Sequence, residues 1–414
     1  MLKEVFPKVH GCYSSLPVLG PTLDGFAEFL VGEGYPRGPV RHHLRTARRV
    51  DDRLKRRGCT AVAEVTRDDL HACAPPGGRS QDDVGAAAMV RLLERYLDHR
   101  GLLPPRGAPS AVDRKLDDYA TYLRQVRGLA SGTIADHRKT AAQFIHHVDK
   151  VGNFSALLQV TEPQIEEFVR CNGSRLGRGT MQHIVSRLRS FLRFLAARGE
   201  APTGLDARID TPRLYRGEQL PRALPWETVL TFLRAIDRST PIGRRDYAIF
   251  LLITTYGLRT SEIVGLRIED LAWRTSRLCV HQPKSRSPLL LPLTDAVGDS
   301  LLAYLRSGRP PSPARQIFLR HRAPAGVLKR TAVSEAFQRW ARRSGLKIPF
   351  QGPHCLRHSY AVHLLRQGIS LKTIGDLLGH RSAESTCVYL RLAVEDLRDV
   401  ALNLPIAAPQ EVQP

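Results

Sequence analysis

A stretch rich in proline, glycine and arginine, from Gly199 to Pro225, divides this chain of 414 residues into two parts. It reads GEAPTGLDARIDTPRLYRGEQLPRALP, and each proline would remove a hydrogen bond from any helix that continued through it. Shorter breaks of similar composition, APPGGRSQDD and PPRGAPS, lie upstream. Such punctuation predicts several separately folded regions. The regions we expect are an N-terminal helical region at 1–103, a second helical domain at 108–200, a linker at 201–221, a third domain at 222–403 and a disordered tail at 404–414.

Apolar residues recur at helical spacing in the first two regions. In PVRHHLRTARRVDDRLKRRG, the residues Val40, Leu44 and Leu54 fall on one face of the predicted helix. A second helix is predicted over TMQHIVSRLRSFLRFLAARG, where Gly199 would end it. A third is predicted over SGTIADHRKTAAQFIHHV, with Ser131 as its N-cap.

The third region mixes helical patterns with one short hairpin. TVLTFLRAI and DYAIFLLITTYG are helical, and Gly257 can break the second helix. RLCVHQP and SPLLLPLTD read as strands that flank the turn Lys-Ser-Arg-Ser. SEAFQRWARRSG, HCLRHSYAVHLLRQG, SLKTIGDLLGH and STCVYLRL are helical again. The fold class we expect is mainly α, with a small β-sheet in the third region.

The chain is strongly basic, with 62 Lys and Arg against 40 Asp and Glu, a net charge of +22. Such a chain repels itself unless it meets a polyanion, so nucleic acid is the expected partner. A GC-rich genome also raises the arginine content of its proteins, and this bias is the alternative explanation of the charge. The arginines predicted to contact DNA phosphates are Arg41, Arg45 and Arg48 in the first region and Arg187 and Arg189 in the second. A solvated helix face is the other interpretation of both sets.

The apolar runs and the cysteines exclude several classes of protein. No apolar run approaches the roughly 20 residues of a membrane span, and the N-terminus lacks a signal-peptide core. We therefore expect a cytoplasmic, nucleoid-associated protein with no membrane partner. The seven cysteines are odd in number and form no CxxC pair, which argues against a zinc ribbon and a disulfide framework.

The sequence HCLRH supports two interpretations. His354 and His358 are four residues apart and share a helix face, as zinc ligands would. His354 and Arg357 are three apart and also share a face, as a phosphate-binding pair would. Zinc needs a third ligand, and Cys355 lies on a different face. We therefore favour the phosphate pair, expect no metal, and interpret His358 and Cys355 as supporting or packing residues.

The third region contains the residues needed for phosphoryl transfer without a metal. They are Arg259, Lys284, His354, Arg357, His380 and Tyr389. Metal-dependent transfer needs a set of Asp and Glu residues to hold Mg²⁺, and that set is missing here. Two arginines can instead neutralise a phosphate, a lysine can protonate a leaving alkoxide, a histidine can accept a proton, and a tyrosine can attack phosphorus. We therefore expect no cofactor. Arg286 is a rival to Lys284, but a guanidinium gives up a proton less easily.

This ordered set resembles the tyrosine recombinase (phage integrase) family. The motifs that carry the resemblance are GLRTSE with Arg259, Lys284 eight residues before Pro292, His354-x-x-Arg357, Leu-Gly-His380 and Tyr389. The likeness covers roughly 222–403, and 108–200 resembles more loosely that family's helical core-binding (SAM-like) domain. The resemblance implies a mixed α/β catalytic domain that forms a C-shaped DNA clamp with the core-binding domain.

The resemblance also implies roles for the phosphate-binding residues. Tyr389 would attack the scissile DNA phosphate and form a 3′-phosphotyrosyl link. Arg259 and Arg357 would clamp that phosphate, and Lys284 would protonate the 5′-oxygen.

The histidines and the assembly follow from the same resemblance. His354 and His380 would hydrogen-bond the phosphate or move protons, and Glu262 would orient its neighbours. The enzyme would act as a homotetramer on two sites in double-stranded DNA, alone or with other recombinases. Its role would be the integration or transposition of a mobile element, or chromosome maintenance. A type IB topoisomerase and a non-catalytic DNA-binding accessory protein are the alternatives.

Overall fold

The computed structural model describes residues 1–74, 81–105, 108–149, 155–215, 221–282, 288–380, 382 and 384–392. The chain divides into two compact units, one of Met1–Leu102 with Gln219–Pro414 and the other of Leu103–Glu218. The predicted Lys-Ser-Arg-Ser turn and the predicted tail at 404–414 lie outside the described residues. Within the described ranges, no helix is both long enough and apolar enough to cross a bilayer.

The first hundred residues are helical, as predicted. Their helices are α1 (Leu2–Val5), α2 (His10–Ser14), α3 (Gly20–Gly32), α4 (Arg37–Arg56), α5 (Arg67–Ala72) and α6 (Gln81–His99), with a 3₁₀ turn at Val62–Glu64. The predicted apolar face of α4 is confirmed, because Val40, Leu44 and Leu54 are fully buried. Asp51, on the same helix, is buried too, and its Oδ1 accepts two backbone N–H groups just before α3, at 2.6 and 3.1 Å. This carboxylate therefore satisfies donors that the start of α3 would otherwise leave unpaired.

The second unit is a helical domain with its own core. Its helices are α7 (Ala111–Gln125), α8 (Ser131–Val148), α9 (Glu162–Gly173) and α10 (Arg178–Ala196), with a 3₁₀ segment at Ser155–Gln159. Gly199 has a φ of +68° just beyond α10, which confirms the predicted end of that helix. The N-cap prediction for α8 is wrong: Ala130, with a ψ of 148°, is the last extended residue, and Ser131 already lies inside the helix. The N-cap is set by where the backbone turns, and here it turns one residue before the polar side chain.

The proline-rich segment after α10 has neither helix nor strand in its described parts, as predicted. Most of it nevertheless belongs to the second unit, which ends at Glu218. Ala201, Leu205 and Ile209 are each buried in the core that α7 to α10 form. Apolar residues at this spacing hold the segment against the domain, so the span predicted as a linker is packed at its start.

The third region contains most of the remaining helices and the sheet. Its helices are α11 (Trp226–Arg234), α12 (Pro241–Tyr256), α13 (Thr260–Gly265), α14 (Asp295–Ser307), α15 (Arg330–Arg343), α16 (His354–Arg366), α17 (Leu371–Leu378) and α18 (Glu384–Cys387). Its 3₁₀ segments are Ile268–Asp270, Trp273–Thr275 and Val388–Leu392, and its strands are β1 (Leu271–Ala272), β2 (Arg277–His281) and β3 (Pro288–Pro292).

The sheet is antiparallel in the order β1-β2-β3 across the described strands. Cys279 of β2 pairs with Leu290 of β3, which confirms the predicted hairpin. Leu278 and Val280 are fully buried and alternate with more exposed neighbours, so one face of β2 packs on the core. Strand β1 has two residues and is too short to leave a periodic signal in the sequence.

Helix α12 runs through the core of this region and is fixed to α15 by a buried charge. Asp246 is 0% exposed, and its Oδ1 accepts from Nε and Nη2 of Arg245 at 3.0 and 2.7 Å. Its Oδ2 accepts from Nη2 of Arg339 at 2.7 Å and from Nε1 of Trp340 at 2.9 Å. A buried carboxylate is tolerated only when it is paired and hydrogen-bonded, and these four donors meet that requirement.

Beside this ion pair, His321 makes the stability of the protein dependent on pH. Burial, followed by the charge of Arg245, lowers the pKa of His321 to about 4. In the unfolded chain a histidine titrates near 6.5, so between about pH 6.5 and 4 the unfolded state binds the extra proton and the folded state loses stability. Between pH 6.5 and 4.5, we expect the free energy of unfolding of the wild type to fall by roughly 1–2 kcal/mol more than that of the His321→Leu protein. Urea unfolding at both pH values measures the difference, and equal losses in the two proteins would contradict it.

Candidate active site

A glycine at the end of α12 sets the start of the site. Gly257 has a φ of 64° and ends the helix in the left-handed conformation. A Cβ built on it would lie 2.4 Å from Cδ2 of Leu378 and 3.0 Å from Cδ1 of Tyr360. Glycine is therefore required for both the turn and the close packing. The predicted break of α12 at this residue is confirmed, and it frees Arg259 from the helix to become the N-cap of α13.

Glu262 holds Arg259 in place from inside the core. The Glu262 side chain is 1% exposed, and its Oε1 accepts from Nη1 of Arg259 at 2.8 Å. Its Oε2 accepts from the backbone N–H of Arg259 at 2.7 Å. Both carboxylate oxygens are thus bound to one residue, which fixes the direction of the guanidinium. The other end, Nη2, lies 3.5 Å from the Gly379 carbonyl oxygen.

Arg357, on the first turn of α16, is held by backbone carbonyls. It is 2% exposed, and its Nη1 and Nη2 donate to the carbonyl oxygens of Gly257 and Leu378, the second at 2.7 Å. Burial, and then the like charge of Arg259, lower the pKa of Arg357 to about 10. It stays charged at neutral pH, and the site therefore concentrates positive charge in a region with little water.

The predicted histidines lie in the field of the same two arginines. The exposed His354 ring meets His358 edge-on, with ring centroids 4.5 Å apart. Desolvation by the surrounding protein, followed by the charges of Arg357 and Arg259, lowers the pKa of His354. Nδ1 of His380 and Oγ1 of the buried Thr386 share a hydrogen bond of 2.8 Å. Burial, followed by the same two arginines, lowers the pKa of His380 to about 4, so this ring is neutral at neutral pH.

Tyr389 reaches this group from the 3₁₀ segment that follows α18. The residue is 2% exposed, and its ring lies nearly parallel to that of His380, with centroids 6.3 Å apart. Burial raises the pKa of the Tyr389 phenol, and the charges of Arg357 and Arg259 oppose that rise. The phenol therefore keeps its proton at rest and lies in the field of both arginines.

The structure places a further residue here that we interpreted from the sequence only as support. Nδ1 of His358 lies 3.1 Å from Oη of Tyr389, within hydrogen-bond distance. The signal in the sequence was the four-residue spacing from His354, which puts both rings on one face of α16. Cys355, by contrast, is buried as the predicted core residue.

The structure brings together five of the six predicted catalytic residues. They are Arg259, His354, Arg357, His380 and Tyr389. The sixth, Lys284, and its rival Arg286 lie outside the described residues. Strand β2 ends at His281 and strand β3 begins at Pro288, so the two strands flank that segment.

The arginines of α4 predicted to contact DNA differ in their surroundings. Arg45 and Arg48 are exposed, as a DNA-contacting side chain must be. Arg41 is half-buried: its Nε donates to the Val5 carbonyl oxygen at 2.8 Å, and its guanidinium lies over the Phe6 ring. Arg41 therefore already connects α4 to α1.

The two predicted arginines of α10 are also engaged within their own domain. Nη2 of Arg187 lies 2.8 Å from Oδ2 of Asp136, and Nη2 of Arg189 donates to the Ile209 carbonyl oxygen. Arg189 thereby holds the packed start of the proline-rich segment. DNA contact by these residues stays a prediction.

The family models match two parts of the chain. The model described as Phage integrase family matches residues 223–396, which contain the whole site. The model described as Phage integrase, N-terminal SAM-like domain matches residues 116–199, which contain α8 to α10 and most of α7. The helical second unit and the site region thus each have a counterpart in one family.

Individual relatives agree with the family models. A putative integrase/recombinase, y4rA, of Sinorhizobium fredii (strain NBRC 101917 / NGR234) is 32% identical over 400 residues, covering 94% of this chain and 96% of the relative. The tyrosine recombinase XerD of Lacticaseibacillus casei is 29% identical over 292 residues, covering 68% of this chain and 94% of its own. A lambda integrase tetramer bound to a Holliday junction has a similar fold, with a TM-score of 0.52 at 20% identity over 75% of this chain and 87% of that one. The chain therefore belongs to the phage integrase family, the tyrosine-type site-specific DNA recombinases.

Proposed function

We propose that this chain cuts and rejoins double-stranded DNA through a 3′-phosphotyrosyl link at Tyr389, without metal or ATP. The observation that carries the proposal is the position of the Tyr389 phenol, which is buried and lies in the field of Arg357 and Arg259. A nucleophile beside two fixed cations is the arrangement that attack on a phosphodiester needs.

The electrostatics of the two arginines favour an anion between them. Arg357 is pinned by two carbonyl oxygens, and Arg259 is pinned by Glu262, so neither can turn away from the other. Their mutual repulsion is part of what lowers the pKa of Arg357. A bound phosphate relieves that repulsion, and the extra negative charge of a pentavalent phosphorane relieves it further. Stabilisation that grows towards the transition state accelerates the reaction.

Two protons move during cleavage. Oη of Tyr389 bonds to phosphorus while the bond from phosphorus to the 5′-oxygen breaks. The phenolic proton passes to a neutral imidazole, that of His354 or His380, and the 5′-oxygen takes a proton from Lys284. The 5′-hydroxyl of another strand then reverses the sequence and releases Tyr389. The bond energy is kept in the phosphotyrosine, which is why ATP is not needed.

The assembly and setting are part of the proposal. We expect a homotetramer on two DNA sites, alone or with other recombinases, and the tetramer seen for lambda integrase on a Holliday junction supports that arrangement. We place the enzyme in the cytoplasm at the nucleoid, as the integrase or transposase of a mobile element. The name of y4rA, putative integrase/recombinase, supports this role.

The test uses the purified full chain in EDTA with nicked duplexes from the ends of the DNA element that flanks its gene. We expect a covalent protein–DNA band on a denaturing gel, and peptide mapping should locate the link at Tyr389. The nick lets the short cleaved strand diffuse away, so the intermediate accumulates.

Two other outcomes would point elsewhere. An equal band on unrelated duplexes would indicate a type IB topoisomerase, which needs no specific site. A specific gel shift with no covalent band would show that this chain alone does not cut DNA and would favour an accessory DNA-binding role.

A further inference from the structure

His358 lies beside the phenolic oxygen of the proposed nucleophile, Tyr389. It follows His354 by four residues on α16, and its Nδ1 is 3.1 Å from Oη of Tyr389. The two rings pack with centroids 5.5 Å apart at an angle of 59°. The proposed proton transfers use His354 and His380 and leave His358 without a task.

We propose that His358 is a positioning residue that holds the Tyr389 hydroxyl for attack on the DNA phosphate. In this role Nδ1 accepts the hydrogen bond from the phenol, and the bond sets the direction of Oη before DNA binds. When the DNA phosphate approaches, the O–H group turns from His358 to the imidazole that takes its proton, while the ring stays in place. The inference rests on the proposed function of Tyr389.

The surroundings of His358 favour the acceptor role. Burial, and then the neighbouring His354, Arg357, His380 and Arg222, lower the pKa of His358 to about 4. These neighbours are cationic or can become so, and they disfavour a second proton on the ring. The imidazole is therefore neutral at neutral pH, with one nitrogen free to accept. Because the Tyr389 phenol keeps its proton, the phenol is the donor.

The position of Tyr389 in the chain explains why such a hold is useful. The residue lies in a 3₁₀ segment of five residues, Val388–Leu392, a helix type whose hydrogen bonds are weaker than those of an α-helix. Helix α16, in contrast, is anchored in the core by the buried Cys355, Leu356 and Arg357. A hydrogen bond from α16 therefore ties the nucleophile to the better-anchored element. A misplacement of about 1 Å can slow a reaction about 100-fold.

The experiment compares three variants in single-turnover formation of the covalent adduct. His358→Phe keeps an aromatic ring against Tyr389 and removes the acceptor. His358→Asn keeps an acceptor at the same bond distance from Cα as Nδ1. His363→Leu is the matched control, because His363 lies on the same helix but stacks on Trp226, with ring centroids 4.0 Å apart.

We expect His358→Phe to slow adduct formation about 100-fold, His358→Asn to stay within about tenfold of the wild type, and His363→Leu to match it. A second substrate carries sulfur in place of the 5′-oxygen, so its thiolate leaves without a proton. The defect of His358→Phe should persist on this substrate, because the nucleophile rather than the leaving group is misplaced. Lys284→Ala, which lacks the proposed acid, should recover on it.

The outcomes separate this inference from the proposed function. If the wild type forms no adduct, the proposed function fails. If the wild type forms it and His358→Phe is equally fast, or if the sulfur substrate restores His358→Phe, only the positioning role is overturned. His358→Asn as slow as His358→Phe would overturn it too. Circular dichroism and gel shifts verify folding and DNA binding, and His358→Leu replaces His358→Phe if the latter does not fold.

Discussion

A Tyr389→Phe protein will fold and bind DNA but will form no covalent adduct. The substitution removes one oxygen from a buried ring, and the hydrogen bond lost with it, to His358, contributes about 1 kcal/mol. The ring contacts with His358 and His380 remain, so the site keeps its packing. The nucleophile itself is gone, and we expect the cleavage rate to fall by at least about 10⁴-fold. Adduct formation on nicked duplexes, with a gel shift beside it, measures both properties.

Tyr360→Phe supplies the matched control. Tyr360 lies on α16, is half-buried and packs near Gly257, so the same oxygen is removed close to the site. We expect this protein to form adduct at the wild-type rate. An adduct formed by Tyr389→Phe would show that another residue attacks the DNA, and the assignment of Tyr389 would then be wrong.

Replacing Asp246 by alanine will strongly destabilise the protein. Asp246 is 0% exposed, and its removal leaves the Arg245 guanidinium, whose side chain is 8% exposed, without its carboxylate. A buried charge left without its partner destabilises a protein by about 3–5 kcal/mol. Arg339 also loses this partner, but its side chain is 33% exposed and can turn towards water. Urea unfolding followed by circular dichroism measures the loss.

Two further variants test whether the unpaired charge is the cause. Glu269 and Arg315 form an ion pair with an N–O distance of 2.6 Å at the surface, and Glu269→Ala should leave the unfolding midpoint nearly unchanged. Adding Arg245→Met to Asp246→Ala removes the buried charge as well and should restore part of the lost stability. If the double variant is no more stable than the single one, the loss comes from packing rather than from charge.

The parts of the fold that depend on local pattern were predictable from the sequence. The buried face of α4 follows from a period of 3.6 residues, and the turn after α12 follows from Gly257 between a helix and Arg259. The hairpin follows from two strand-like runs on either side of a polar turn. The site residues were found because their order along the chain resembles one family and because they suit a metal-free transfer.

The contacts that depend on distant parts of the chain could not be predicted. The hydrogen bond of His358 to Tyr389 spans 31 residues, and nothing local indicates which side chain a histidine on α16 will meet. Arg189 looks like a DNA contact by composition, yet it holds the Ile209 carbonyl oxygen, 20 residues away. Ser131 shows the limit at short range, because residue type alone does not locate the residue at which the backbone turns.

The way Arg357 is held has a consequence for when the chain can first break DNA. Its two carbonyl partners lie 100 residues before it and 21 residues after it, and Tyr389 follows both of them along the chain. A ribosome therefore completes every cation of the clamp before it adds the nucleophile. A nascent chain or a fragment cut upstream of Tyr389 lacks the proposed nucleophile and should not break DNA. We therefore expect DNA breakage only from chains that have been made past Tyr389.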